Sequence, residues 1–272
     1  VTAPSNIDTP NWRWLAVHLA LWFIFVVAFT QGFTLWQWLV AVLGDGAAGF
    51  APLVLSAFLA ACCALFLWWK IREIDWIWGL AALVVFTIGL ASTDSDFPAK
   101  RVHLPEYFVL ALVVYWSIRH YVSRGGAIGT AVALATMLGG LDEIIQGAMP
   151  SRTFGHSDLI ANGLGALSAG FFLRAVTGKG GIWSELRAII WPIVIVSTGY
   201  GLLLLGVNAH KGLGFPVWVY LPALASLPML VVEAQRSSGY RGKFPVLVLM
   251  GTVCLISLFL TCGIDALDYD FR

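Results

Sequence analysis

Charge is what this chain has least of. Asp, Glu, Lys and Arg together make up 11% of its 272 residues, and the formal net charge is +1. A surface that tracks a phosphate backbone needs clustered Lys and Arg, so nucleic acid is excluded as a partner. Cysteine is sparse as well. Cys62, Cys63, Cys254 and Cys262 all lie inside apolar runs, with no CxxC or other ligand spacing, so they read as small buried apolar side chains. No internal repeat is evident. The apolar runs lack the two-residue alternation of barrel strands, which excludes a closed transmembrane β-barrel.

What remains is apolar and aromatic. Hydrophobic residues make up 59% of the chain, including 13 Trp, and the mean hydropathy is +0.84. Several runs approach or exceed the 18 residues that cross a bilayer as a helix, and a helix satisfies its own backbone there. The expectation is an all-α, polytopic helical membrane protein with about nine spans, near 14–33, 48–69, 76–92, 105–122, 126–148, 158–176, 188–206, 215–233 and 245–262. The first run lacks a basic flank of its own and a small-residue cleavage site, so it reads as a retained anchor. Segment 34–46 is too short to span and reads as interfacial or re-entrant, anchored by Trp36 and Trp38. Trp68, Trp69, Trp76 and Trp78, with Trp12 and Trp14, read as an aromatic belt. With the N-terminus cytoplasmic, eleven Lys and Arg fall inside and five outside, the favoured bias. TGKGGIWSELR, 177–187, is a linker.

Against this background LDEIIQGAMPSRTFGHSD, 141–158, stands out. Asp142, Glu143, Arg152, His156 and Asp158 are packed between two apolar runs. Upstream, the segment KRVHLPEY, 100–107, brings Lys100, His103, Glu106 and Tyr107 to the start of another run. Pro105 suits a first helical turn, where its missing N–H is not needed, which places Lys100 and His103 just outside the helix. Glu143 and Gln146 are three apart and share a helix face, with Asp142 turned about 100° away. Ser157 is a candidate N-cap, and Asp158 in the first turn is favoured by the helix dipole. Asp158, Asn162 and Gly165 recur at i, i+4 and i+7 and form one stripe, with Ala161, Ala166, Ala169 and Gly170 extending a small surface for close packing. A carboxylate deep in a bilayer costs roughly 2.5–3.5 kcal/mol. The polar groups are therefore expected to converge on one outward-opening pocket.

The pattern K-x-x-H-x-x-x-Y at Lys100, His103 and Tyr107, followed by Glu143, Gln146, Arg152, Asp158, Asn162 and Gly165, resembles the VanZ-like family of bacterial membrane proteins. The resemblance covers about 76–176. Two positions depart from it, Ala99 standing where the family usually carries Asp, and Pro105, which is not a family feature. It implies a multi-pass protein of the bacterial plasma (inner) membrane, concerned with the cell envelope, since the family's namesake is linked to teicoplanin resistance. The chain then divides into an N-terminal two-helix extension (1–69), a VanZ-like four-helix core (70–176), the linker, and a C-terminal three-helix extension (188–272).

Two readings of the polar residues follow. In the first, Lys100, Tyr107, Gln146, Arg152, Asp158 and Asn162 bind a polar or anionic, lipid-linked envelope ligand, with Lys100 and Arg152 holding phosphate or carboxylate. Glu143 and His103 are then the candidate catalytic pair, His103 as general acid or base; whether a reaction occurs stays open. In the second, the protein is a non-catalytic accessory or assembly subunit of a larger membrane complex. Arg152 with Asp158 or Glu143 then locks helix packing, and His103 and Tyr107 hydrogen-bond at headgroup depth. His103, Glu143, Asp158 and His156 are residue types that ligate metals, but no short ligand motif joins them, so no metal is assigned. No cofactor is assigned either.

Overall fold

A computed structural model describes residues 32–70, 74–93, 98–119, 124–147 and 155–177, with isolated positions elsewhere. The described chain is all-helical. Helix α1 is Gly32–Leu43, α2 Asp45–Ala48, α3 Ala51–Trp69, α4 Trp76–Ser92, α5 His103–Ile118, α6 Arg124–Gly147 and α7 His156–Thr177, with a 3₁₀ turn at Pro98–Val102 leading into α5. Most of the first expected span, the three after 187, Arg152 and the side chain of His156 lie outside the described residues.

Among the described residues, two stretches are long and apolar enough to cross a membrane, Asp45–Trp69 with 25 residues and Ser157–Thr177 with 21. At 1.5 Å per residue these are about 37 and 32 Å long, against a hydrocarbon core of about 30 Å. Helix α1 has 12 residues, too few to span.

The centre of the bundle is α7, which packs against α4, α5 and α6. Small residues make this possible. Ala127, Ala131 and Ala135 on α6 and Ala166 and Ala169 on α7 are fully buried, and Leu110, Ala111 and Val114 of α5 fill the space beside them. Phe108 stands edge-on to Phe86 of α4 at 5.9 Å and tilts against Phe172 of α7 at 5.7 Å. Ser168 of α7 donates to the carbonyl of Ala82 on α4 at 2.8 Å, a polar tie between helices. Other hydroxyls turn back on their own helix: Ser56, Thr87, Ser117, Thr136 and Thr177 each donate to the carbonyl four residues earlier. That is how a hydroxyl is satisfied where water is scarce.

The far end of the bundle, where α7 ends and α4 begins, has its own fastening. The Asp75 N–H donates to the Ala175 carbonyl at 3.1 Å. Arg174 lies buried over the Trp78 ring, 5.5 Å from its centre, and 3.9 Å from Asp75. Trp78 is therefore a core residue, unlike the exposed Trp68, Trp69 and Trp76, which corrects its place in the aromatic belt. Turning inward gives it a cation and the Phe171 ring at 5.4 Å, which lipid would not supply. Arg174→Met is expected to cost about 1–2 kcal/mol, the range for a desolvated cation–π contact. Arg174→Lys should recover part of it, because an ammonium keeps the cation–π attraction but not the planar stacking of a guanidinium; thermal melts of the detergent-solubilised protein would show both.

Candidate functional site

At the opposite end α5 begins, α6 finishes and α7 begins. Helix α5 starts at His103, directly after the 3₁₀ segment that carries Lys100. His103 is thus in the first helical turn, and not outside it as expected, because the 3₁₀ turn feeds directly into α5. Helix α7 likewise starts at His156, so Ser157 lies within it, while Asp158 keeps its first-turn position.

Three side chains from three helices meet here. Ligand-capable atoms of His103, Glu143 and Asp158 all lie within 4.8 Å of one another. The three residues are 6%, 0% and 5% exposed. Each is held from a different side. The Gly155 N–H donates to Glu143 Oε2 at 3.0 Å. Asp158 Oδ1 accepts from Ser157 Oγ at 3.2 Å and lies 3.6 Å from Lys100 Nζ. His103 Nδ1 lies 3.9 Å from Glu106 Oε2, and its ring stacks on Tyr107. Lys100, whose side chain is 26% exposed, is the most open of these groups and forms the rim.

Beside the triad is a second knot, centred on Asp142. Tyr107 Oη and Gln146 Nε2 both donate to Asp142 Oδ2, at 3.0 and 2.9 Å. The expectation that Gln146 accompanies Glu143 while Asp142 turns away is thus revised. Helix α6 is covered on two sides, so the 100° between consecutive residues sends Asp142 to α5 and Glu143 towards the start of α7. Gln146 follows Asp142 at i+4. That spacing is the sequence signal for Asp142, which is not among the expected site residues. Glu106 is not among them either; its place three residues after His103 is the corresponding signal.

Of the expected site residues, Lys100, His103, Glu143 and Asp158 come together, and Tyr107 and Gln146 join through Asp142. Asn162 lies one turn below Asp158, fully buried, its Nδ2 3.4 Å from the Gly139 carbonyl of α6. Gly165 continues the stripe against the backbone of Leu104 on α5. Arg152 lies outside the described residues.

Comparison with protein-family models, curated proteins and solved structures finds no match to this chain.

Proposed function

We propose that the chain is a VanZ-like, multi-pass protein of a bacterial plasma membrane, with about nine spans and a cytoplasmic N-terminus. Its polar end opens outward and binds a polar or anionic cell-envelope ligand. The observation that carries this reading is the convergence of Lys100, His103, Glu143 and Asp158 at one end of a bundle whose centre is apolar. Ionisable groups buried within membrane segments point by default to a functional site. Lys100 at the rim supplies the point charge for a phosphate or carboxylate, and the buried triad supplies hydrogen-bonding groups beneath it. The membrane part of the reading is supported by α3, whose Phe58, Leu65 and Trp69 are 66%, 70% and 75% exposed, and by the hydroxyls satisfied within their own helices.

The same bare flank of α3 favours a second reading, an accessory subunit that packs this helix against a partner protein in a membrane complex. Native mass spectrometry of the gently extracted protein separates the two. The ligand reading expects an adduct of fixed mass on the wild type, reduced at least tenfold in Lys100→Met. A stoichiometric protein partner retained in both, with no small adduct on either, would overturn the ligand reading and establish the second.

A further inference from the structure

We propose that His103, Glu143 and Asp158 form a binding site for one divalent transition-metal ion. The inference deepens the pocket reading by placing a cation on its floor, and it rests on that reading in sharing these residues. Sequence spacing gives no hint of such a site, because the three ligands come from three helices. Folding brings their ligand atoms to within 4.8 Å of one another. Around a tetrahedral ion with bonds of about 2.1 Å, ligand atoms stand about 3.4 Å apart, so each pair closes by at most about 1.4 Å. Rotation about side-chain bonds supplies that without moving a helix.

The donor set is one imidazole and two carboxylates. Carboxylates alone would suit magnesium or calcium; the imidazole shifts the preference towards zinc, iron or manganese. The surroundings are those of a supported metal site. The Gly155 N–H fixes one oxygen of Glu143, and Glu106 Oε2 lies 3.9 Å from His103 Nδ1; with Nε2 as the ligand atom, a carboxylate at Nδ1 would orient the metal-bound imidazole.

The floor provides a second, independent observation. One turn inward from His103, Glu143 and Asp158 lie Tyr107, Gly139 and Asn162. Gly139 packs close to both of the others: a Cβ there would stand 2.8 Å from Asn162 Cβ and 3.0 Å from Tyr107 Cε1. Asn162 is fully buried, and its Oδ1 has no hydrogen-bond partner among the described residues. A buried acceptor in that state is costly. Asn162 stands one turn after Asp158 on the same face of α7, so a water carried by the ion would supply this acceptor with a donor.

Lys100 competes for the same carboxylate at 3.6 Å, and this gives the two readings opposite signatures. Lys100→Met removes the anion-binding charge yet relieves the repulsion between a lysine and a metal ion. It should lose the envelope ligand and keep the metal. The test uses the full-length protein in mild detergent, stripped with chelator, desalted and titrated with Zn²⁺ alone. Bound metal is counted by elemental analysis after gel filtration. One Zn²⁺ per chain is expected in the wild type, in Lys100→Met and in Asp75→Asn, which lies at the far end of the bundle. His103→Ala and Glu143→Gln should bind at least tenfold more weakly. Should those variants fold poorly, Co²⁺ added to the wild type reports directly: visible d–d absorption of a low-coordinate site is expected. Zinc binding no stronger in the wild type than in a well-folded His103→Ala, or a Co²⁺ spectrum no different from that of the aqueous ion, would overturn the metal site. A lipid adduct that persists on zinc-free protein in either of those cases would leave the pocket reading standing without the metal.

Discussion

Gly165→Leu is expected to abolish the folded core, and Gly165→Ala to weaken it measurably. Gly165 faces the point where α5 begins. A Cβ there would collide with the Leu104 carbonyl oxygen and come within 3.2 and 3.3 Å of its carbonyl carbon and Cα. These are backbone atoms, so no rotamer change relieves the overlap, and α5 itself must move. Leu104 is fully buried and Pro105 follows it in the same turn, which leaves that backbone little room. Overpacking by one methyl group costs about 1–3 kcal/mol, and a leucine exceeds that. Gly163→Ala is the internal control, because its Cβ would meet only Thr136 Cγ2 at 3.8 Å, an ordinary contact. Alanine is also the better helix former, so Gly163→Ala should be neutral or slightly stabilising. Thermal unfolding in detergent followed by tryptophan fluorescence would compare them. Equal melting temperatures for the two alanine variants would refute the close approach of α5 and α7 at Gly165.

The second large effect is expected at Asp142. This carboxylate is fully buried and accepts from Tyr107 and Gln146 on the same oxygen. Asp142→Leu removes that shared acceptor while filling a similar volume. Each buried donor deprived of a partner costs about 1–3 kcal/mol, so a loss of about 2–6 kcal/mol is expected for the pair. Asp142→Asn keeps one acceptor oxygen and should lose about half as much. Tyr107→Phe removes one of the two donors, so combining it with Asp142→Leu should cost less than the sum of the single changes, by about 1 kcal/mol. Additive losses would mean that the hydroxyl and the carboxylate do not interact in the folded protein.

The stripe of Asp158, Asn162 and Gly165 is legible in the sequence alone, because helical periodicity is local and the i, i+4, i+7 spacing carries its own geometry. Helices α3 to α7 end within a few residues of the apolar runs read from the sequence for the same reason: each is bounded by a break in such a run. Trp78 is not legible in that way. An indole near a helix end reads the same whether it faces lipid or a buried guanidinium, and only the neighbouring end of α7 decides. Asp142 escapes the sequence on similar grounds. Its rotation relative to Glu143 follows from helix geometry, but the direction it faces is occupied by α5, which that geometry does not reveal.

By itself, then, the sequence determined that the chain is helical, where its apolar segments run, and that polar residues of metal- and ligand-binding types interrupt them at 100–107 and 141–158, since these depend on composition and on the period of one helix. Only the tertiary structure decided that His103, Glu143 and Asp158 share one point, that Tyr107 and Gln146 share one oxygen, and that Arg174 pairs with Trp78. Those contacts join different helices, or depend on which neighbour covers a helix face, and no spacing along a single helix encodes the neighbour.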